Sequence, residues 1–230
     1  MDILPLDIWK IIFNLLNFKS KIRLISTCKY LRQNLYIVDL YNIKPQYLRK
    51  LTTTLLQNDI FKNVSLLNAS CSCRIKYISF MKHLKQLCIQ GMLTKIDQDD
   101  IIELDLIELD ISNNSGIKDV SFMKNLKKLT ARSCTINQKC IEKLDLIELN
   151  VANNKKIRDV SFMRNLKRLN ASGSCGIDQD GITNLDLIEL NISNNYEIED
   201  ISFMKNLKIL NAYGYCGINQ TNIEKLNLDL

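Results

Sequence analysis

The stretch Leu-Asp-Leu-Ile-Glu-Leu at residues 104–109 decides how this chain is organised, because it begins again at Leu144 and at Leu185. A second string, Ser-Phe-Met, begins at Ser79, Ser121, Ser161 and Ser202. The two strings therefore share one period. A fixed period of this kind is typical of chains built from stacked copies of one structural unit.

Each period contains two copies of a shorter pattern, Leu-x-x-Leu-x followed by an apolar residue. The copies are evenly spaced, so the segment 63–230 holds about eight units and the opening of a ninth at Leu228. In a short strand the side chains alternate, so Leu109 and Ile111 would face a core while Asp110 faces outward. One unit cannot bury its apolar face alone, so we predict stacked units that form a parallel sheet. The units begin at Val64, Leu84, Leu106, Leu126, Leu146, Leu166, Leu187 and Leu207.

The repeated pattern resembles the leucine-rich repeat family over residues 63–230. The resemblance implies an α/β fold, a leucine-rich-repeat solenoid whose parallel β-sheet forms a horseshoe. Each strand must return through a convex segment, and we predict such a segment at 119–123 and a short helix at 138–144. The phenylalanines of the Ser-Phe-Met strings would then form a buried column. They are Phe80, Phe122, Phe162 and Phe203.

Polar residues recur where the chain must bend after each strand. Asn114, Asn154 and Asn195 stand at the same place of their units, shortly after the strand. A carboxamide offers two donors and an acceptor, so we expect these side chains to bond the backbone of their own and adjoining bends. The alternate units hold cysteine near this place and resemble cysteine-containing leucine-rich repeats. These cysteines are Cys134, Cys175 and Cys216.

The segment before Asn63 follows a different pattern. Apolar residues at helical spacing predict a first helix after Pro5 and a second one capped by Ser20. We therefore divide the chain into a helical module at 1–40, a linker or capping helix at 41–62 and repeats at 63–230. The linker helix would begin at Pro45. Its apolar side would hold Leu48, Leu51 and Leu55.

The helical module resembles an F-box, from Leu4-Pro5-Leu6-Asp7-Ile8 through the segment 22–32. The resemblance implies that the module docks on the Skp-type linker protein of a cullin-RING ubiquitin ligase. Thr27 before the cysteine and Leu31 in place of a common tryptophan depart from the family pattern. An alternative interpretation is that these helices only cap the open end of the solenoid. The residues that match the linker-binding positions are Leu4, Pro5, Ile8, Ile11, Leu15, Leu24, Cys28 and Leu31.

Outward strand positions are aligned by the repetition and offer a concave binding face for a protein partner of unknown identity. Acidic and basic residues alternate at the third position of successive units, and the fifth position is chiefly Asn. Arg132 and Tyr213 break the pattern at the seventh position. Pairing of opposite charges across neighbouring strands is a structural alternative for the charged positions. Our candidates for partner contact are Glu108, Asp110, Arg132, Glu148, Asn150, Arg168, Asn170, Glu189, Asn191, Asn211 and Tyr213.

Several classes of function find little support in the composition. Residues 1–60 hold nine Lys and Arg against four Asp and Glu, and these charges are interleaved with apolar residues as on a solvated helix face. We therefore expect no nucleic-acid partner, and no apolar run approaches the roughly 18 residues that would cross a membrane. With no Cys-x-x-Cys pair and His83 as the single histidine, we expect no metal, no cofactor, no catalytic residues and eight reduced thiols.

The sequence thus predicts a substrate-recruiting adaptor of a cullin-RING ligase. The rival is a free-standing leucine-rich-repeat scaffold with no role in ubiquitin transfer. We expect a cytoplasmic location, and a nuclear one also fits. The low Gly and Pro content with high Asn, Ile and Lys resembles the AT-rich coding of amoeba-infecting giant viruses, slime moulds or similar organisms. If the source is a virus, the ligase would be the host's. The last unit ends at Leu230 without a capping segment, so we expect an unprotected strand edge there.

Overall fold

A computed structural model of the chain describes residues 4–70, 72–219, 223 and 226. The described residues begin with three helices: α1 (Leu6–Leu15), α2 (Phe18–Thr27) and α3 (Lys29–Asn34). A short strand β1 (Asp39–Leu40) and the short helices α4 (Pro45–Leu48) and α5 (Thr53–Leu56) follow. A 3-10 turn at Asp59–Phe61 then leads into the repeats.

The repeats supply eight further strands of equal length. They are β2 (Leu66–Asn68), β3 (Gln86–Cys88), β4 (Glu108–Asp110), β5 (Lys128–Thr130), β6 (Glu148–Asn150), β7 (Arg168–Asn170), β8 (Glu189–Asn191) and β9 (Ile209–Asn211). The return segments hold helix α6 (Gln98–Ile101) and 3-10 turns at Gln138–Cys140 and Asp180–Ile182. The short helix predicted at 138–144 is therefore a single 3-10 turn.

All nine described strands pair in parallel and in chain order, from β1 to β9. The register aligns the second leucine of each unit, so that Leu109 lies beside Leu87 on one side and Leu129 on the other. The aligned leucines are at most 3% exposed. They are Leu67, Leu87, Leu109, Leu129, Leu149, Leu169 and Leu190. The predicted α/β architecture, a solenoid with one parallel sheet, is confirmed and is consistent with a solenoid of the leucine-rich-repeat type.

The predicted column of buried phenylalanines is wrong. Phe80 is 37% exposed, whereas its neighbours Ile78 and Met81 are buried. The Met81 N–H donates to the Ile78 carbonyl, which makes Ile-Ser-Phe-Met a tight turn with its two outer residues directed inward and its two central residues at the surface. The same turn recurs at 120–123, 160–163 and 201–204. Methionine, flexible enough to fill an irregular gap, occupies the core place that we assigned to phenylalanine.

The asparagines predicted at the bends are buried and hydrogen-bonded as expected. The Asn154 carboxamide donates to the carbonyls of Ala131 and Ile136 in the preceding unit, both at 3.3 Å, and accepts from the Lys156 N–H at 3.0 Å. Asn195 donates to Ala171 and Ile177 in the same way. Each asparagine thus joins two units by satisfying backbone groups that would otherwise be buried without partners.

A row of glutamines, absent from our predictions, makes the matching connection in the opposite direction along the chain. The Gln138 carboxamide oxygen accepts from the N–H groups of Arg158 and Asp159, and its NH2 group donates to the Asp159 carbonyl at 2.9 Å. Gln98 makes equivalent bonds one period earlier in the sequence, and Gln179 makes them one period later. These glutamines recur at the period of the repeat, so the sequence alone could have predicted their shared role.

Each repeat strand from β3 onward is followed by a residue with left-handed backbone conformation. Asn153 is one example, with φ of 56°, and its N–H donates to the Ser172 carbonyl of the next unit. Asparagine and glycine adopt this conformation more readily than other residues, which explains their recurrence there. The residues concerned are Gly91, Asn113, Ser133, Asn153, Gly173, Asn194 and Gly214.

The helical module differs in detail from the prediction. Asn17, not Ser20, caps α2, because its side chain accepts the Ser20 N–H at 3.0 Å. The apolar side of the predicted second helix would hold Leu24, Cys28, Leu31 and Leu35, but Cys28 has extended backbone angles and separates α2 from α3, so one continuous helix does not form. In the linker the chain forms two short helices, and Leu56 rather than Leu55 points into the core.

The module and the repeats share one hydrophobic core. Leu35, Ile37 and Leu40 are buried in the same cluster as the repeat leucines. The Ile37 N–H donates to the Ile60 carbonyl at 2.8 Å, and β1 pairs with β2. These contacts hold the helical module directly against the first strand of the repeats.

No helix among the described residues is long and apolar enough to cross a membrane. The predicted ninth unit at Leu228 and the strand edge at Leu230 lie outside the described residues.

We predict that Asn154→Ala lowers the free energy of unfolding by at least about 2 kcal/mol, since two carbonyls and one N–H lose their buried partner. The control is Asn165→Ala, whose exposed side chain bonds the Asp145 carboxylate at 2.8 Å, and we expect a loss within about 1 kcal/mol. Urea unfolding followed by circular dichroism measures both. Equal losses would contradict the assigned role of the buried carboxamide.

Candidate functional site

Helix α1 exposes a row of large apolar side chains, which we call the α1 face. Ile8, Ile11 and Leu15 recur every three or four residues and so lie along one side of α1, and Leu4 lies two residues before the helix begins. The opposite side packs inward through Phe13, with Leu6 and Trp9 against the same core. The α1 face consists of Leu4, 44% exposed, Ile8, 42%, Ile11, 58%, and Leu15, 82%. A contiguous apolar row in water marks an interaction surface.

The other predicted linker-binding residues are placed less uniformly. Pro5 and Cys28 are exposed and Leu24 is half-buried, so all three are accessible. Leu31 is 3% exposed and packs inside the module, which differs from its predicted place on a binding surface. The break at Cys28 turns α3 so that Leu31 faces the core, and its role here is to support the module.

The concave side of the sheet forms an open groove of about 540 Å³. Its floor brings together eight of the eleven concave-face candidates with Lys128 and Thr130 between them. Tyr41 closes the end of the groove nearest the helical module. The eight candidates are Glu108, Asp110, Glu148, Asn150, Arg168, Asn170, Glu189 and Asn191.

Three concave-face candidates lie outside the groove lining. Asn211 is half-buried in the last described strand. Arg132 and Tyr213 are exposed and follow β5 and β9 at the edge where the strands end. Their role in partner contact stays a prediction.

Charged residues at the third position of successive units pair across the sheet, as the structural alternative predicted. Lys128 Nζ lies 3.2 Å from a Glu108 oxygen and 3.3 Å from a Glu148 oxygen. Arg168 pairs with Glu148 from the other side. Burial raises the pKa of the Glu148 carboxyl, but hydrogen bonds from Arg168 and Lys128 outweigh burial and hold that pKa below its ordinary value. Pairing fixes these side chains without removing them from the groove surface.

The polar residues at the fifth position of the units have a structural role that we did not predict. The Asn150 side-chain oxygen accepts the N–H of Ala152 at 3.1 Å, and Asn170, Asn191 and Asp110 each accept from the residue two places later. A short polar side chain that bonds backbone in this way ends the strand. The amide NH2 groups of the three asparagines have no hydrogen-bond partner within the described part of the chain, so they can donate into the groove.

The thiols offer no cluster for chemistry in the part of the chain that the structure describes. Burial raises the pKa of the Cys88, Cys134 and Cys175 thiols, which disfavours the reactive thiolate. Among the described residues, no group of three or more His, Cys, Asp or Glu side chains could hold a metal ion.

Comparison with known protein families finds one match. Residues 1–41 match the F-box domain family. The chain carries an F-box domain, followed by a parallel β-solenoid. F-box domains bind Skp-type linker proteins of cullin-RING ubiquitin ligases, and proteins that carry them are typically adaptors without catalytic activity. A comparison with curated proteins finds no match.

The F-box domain also contributes to the sheet and to the groove. Ile37 and Leu40 stand in the register of Val64 and Leu67, so the end of the F-box is a partial repeat unit. Tyr41, the last residue of the F-box match, follows β1 immediately and takes the outward position beside Asn68. Ile37 and Leu40 have the spacing of the first two apolar residues of a repeat unit, so the sequence contained this evidence. Asn42 stands where the third apolar residue of the pattern would be, and the unit was therefore not recognised.

We predict that Glu148→Gln lowers the free energy of unfolding at pH 7 by no more than about 1 kcal/mol, because the paired side chains are partly exposed. A carboxyl with a depressed folded-state pKa stabilises the folded state above its unfolded pKa of about 4.3. The difference between wild type and variant therefore disappears as the pH falls through the folded-state value. Urea unfolding at pH 7 and at a series of lower pH values tests this, and a difference that does not decrease as the pH falls below about 4.3 would contradict it.

Proposed function

We propose that this chain recruits a protein substrate to a cullin-RING ubiquitin ligase, with the α1 face docked on the Skp-type linker and the substrate held in the concave groove. The observation that carries the proposal is the exposed row Leu4, Ile8, Ile11 and Leu15 within a matched F-box domain. Phe13, Ile25, Leu31 and Leu35 of the same module are buried in the core. The exposed row is therefore not needed for the core and is available to a partner.

The shared core supports the adaptor geometry. An adaptor must hold its substrate at a fixed place relative to the ligase, so the two binding surfaces should belong to one rigid body. Strand β1 continues the sheet into the F-box, and Tyr41 joins the groove wall to the end of the F-box. A partner in the groove would therefore be held in a defined orientation to α1.

The groove supports substrate binding through its shape and its polar donors. Charged side chains held in place by ion pairs, together with the amide groups of Asn150, Asn170 and Asn191, present fixed hydrogen-bonding partners. Groups that are already positioned lose less entropy on binding.

The rival function is a free-standing scaffold in which the helices only cap the solenoid. A cap needs apolar residues only on the side that faces the repeats. The exposed α1 face is unexplained by capping, so we favour the adaptor. A cytoplasmic location also stays a prediction.

We predict that Ile11→Asp together with Leu15→Asp abolishes copurification with a Skp-type linker, because two charges would be buried at the docking surface. The matched control is Met92→Asp with Leu93→Asp, which alters an equally exposed apolar pair in the repeats. Circular dichroism checks that both variants fold. Linker binding that survives the α1 substitutions, or that is lost in the control, would contradict the proposed docking face.

We predict that Glu108→Lys with Glu189→Lys removes substrates from the set of proteins biotinylated by a proximity-labelling fusion of the intact chain. The control, Glu142→Lys with Glu197→Lys, makes the same charge change at exposed positions outside the groove. Deletion of residues 1–40 is unsuitable as a comparison, because it would remove Leu35, Ile37 and β1 from the shared core. Equal effects of the two variant pairs would argue against substrate binding in the groove.

A further inference from the structure

Three highly exposed tyrosines lie on two neighbouring turns at the end of the described repeats. Tyr196 lies in the turn after β8, and Tyr213 and Tyr215 lie in the turn after β9. We call these three residues the tyrosine cluster. Their exposed fractions are 67%, 74% and 87%, respectively. Large aromatic side chains that stay together in water mark an interaction surface.

Hydrogen bonds hold the two turns side by side. The Asn194 N–H donates to the Tyr213 carbonyl at 2.8 Å, and the Tyr215 N–H donates to the Asn194 side-chain oxygen at 3.3 Å. The Tyr213 N–H also donates to the Ser193 hydroxyl oxygen at 3.2 Å. The backbone that carries the tyrosines is therefore fixed. A tyrosine on such a backbone has only two side-chain angles to order when it binds, so it loses little entropy.

The chain contains a second copy of the turn after β9, in which serine stands in place of both tyrosines. Residues 171–177 read Ala-Ser-Gly-Ser-Cys-Gly-Ile, and residues 212–218 read Ala-Tyr-Gly-Tyr-Cys-Gly-Ile. The first glycine of each turn is left-handed, with φ of 68° at Gly173 and 70° at Gly214. In each turn the cysteine N–H donates to the carbonyl of that glycine, at 2.8 Å and 3.2 Å. Because the same turn forms without the rings, the fold does not explain the tyrosines.

The turn after β8 also differs from its earlier copy, and here the charge changes. Asn154-Lys155-Lys156 after β6 corresponds to Asn195-Tyr196-Glu197 after β8. The buried asparagine of each turn donates to two carbonyls of the preceding unit. Two exposed cations of the earlier turn are thus replaced by an exposed ring and an exposed carboxylate.

Negative charge predominates in this part of the chain. Residues 169–204 contain no Lys or Arg, and the next basic residue, Lys205, donates its ammonium group to the Ser202 carbonyl at 2.7 Å. At the other end of the repeats, residues 42–96 contain nine Lys and Arg but one acidic residue, Asp59. The seven acidic residues of the segment 169–204 are Asp178, Asp180, Asp186, Glu189, Glu197, Glu199 and Asp200.

Exposed rings in an acidic surrounding suit a guanidinium group. A guanidinium group is planar, stacks on the face of an aromatic ring and pairs with a carboxylate through two N–H donors. A lysine ammonium group is a compact, strongly hydrated charge that lacks this planar contact. A nucleic acid or an anionic membrane would be repelled by the carboxylates, and an apolar segment would leave them without a partner.

The tyrosine cluster lies apart from the two surfaces of the proposed function. Within the described residues, the groove lining reaches Asn191 and includes none of the three tyrosines. Helix α1 belongs to the module that joins the sheet at β1, the opposite edge from β9. A partner at the tyrosine cluster would leave both surfaces accessible, so the inference does not rest on the adaptor function.

We propose that the tyrosine cluster binds an arginine-rich segment of a protein partner, with guanidinium groups stacked on the tyrosine rings and paired with Glu197. Neighbouring strands of a sheet are about 4.8 Å apart, and every second residue of an extended segment recurs after about 6.6 Å. Arginines at alternate positions of such a segment can therefore reach the two neighbouring turns.

The test measures binding of fluorescein-labelled Gly-Arg-Gly-Arg-Gly-Arg-Gly to the full chain by fluorescence anisotropy. A salt concentration of about 0.15 M screens distant exposed charges. Two matched peptides carry citrulline, which is nearly isosteric but uncharged, or lysine, which has the same charge without the planar group. We expect the arginine peptide to bind at least about tenfold more tightly than the citrulline peptide and about threefold more tightly than the lysine peptide.

Replacement of the rings locates the binding. Tyr213→Ser with Tyr215→Ser gives the turn the sequence of residues 171–177, so this variant should fold, which circular dichroism checks. We expect it to lower the affinity for the arginine peptide at least about fivefold. The control, Tyr30→Ser with Tyr77→Ser, removes two exposed rings elsewhere and should change the affinity less than about twofold.

Replacement of the carboxylate gives a second, independent measurement. Glu197→Lys installs the residue that the earlier turn carries at position 156, and we expect at least about threefold weaker binding of the arginine peptide. The control, Glu142→Lys, makes the same charge change at another exposed position and should leave the affinity within about twofold. If the double tyrosine variant does not fold, this pair decides the proposal.

Four outcomes would overturn the proposal. They are equal binding of the arginine and citrulline peptides, equal binding of the arginine and lysine peptides, equal losses in the two tyrosine pairs, and equal losses in the two glutamate variants. A polyproline peptide that binds as tightly as the arginine peptide, and is lost in the Tyr213 and Tyr215 variant, would assign the rings to another class of partner. Self-association in sedimentation velocity that the same variant abolishes would assign them to the cationic residues 42–96 of a second copy. Either result would likewise overturn the proposal.

Discussion

The repeat units that the structure describes are joined by hydrogen bonds that neighbouring units make to the backbone at the bends. The short strands offer few hydrogen bonds of their own, and the bends between them bury backbone groups away from water. Asn154 reaches back to the preceding unit, while Gln138 reaches forward to the following one. The buried leucines supply the hydrophobic free energy of folding. The carboxamides join neighbouring units in one alignment, in which the leucines of adjacent strands pack side by side.

Backbone hydrogen bonds also join the F-box to the first repeat. β1 pairs with β2 and places Tyr41 beside Asn68, so the sheet begins within the domain that would contact the ligase. The solenoid could not lose this first strand without exposing Leu67 and its neighbours. In the proposed adaptor this continuous sheet would hold the groove in a fixed position relative to the F-box, and the exposed α1 face would remain accessible to the linker protein.

Much of the fold could be predicted because the repeat spacing exposes the strand anchors directly. The leucines aligned from Leu67 to Leu190 and the buried asparagines were identified from position alone. The phenylalanine column was wrong because hydrophobicity does not reveal which residue of a tight turn points inward. Leu31, which the resemblance places on the binding surface, is buried in α3, and the extended Cys28 separates this helix from α2. Tyr41 belongs to a partial unit in which the polar Asn42 stands in place of the third apolar residue, so the repeat pattern did not identify this unit.

In the proposed adaptor, the linker protein contacts the α1 face while the repeats stay free for a substrate. Site-specific photo-crosslinking tests it most directly, with benzoylphenylalanine placed at Leu15 on α1 or at Met92 in the repeats, both highly exposed. In the presence of a Skp-type linker, we expect a crosslinked product from position 15 and none from position 92. Crosslinking from position 92 alone, or from neither position while the linker is bound, would contradict this claim.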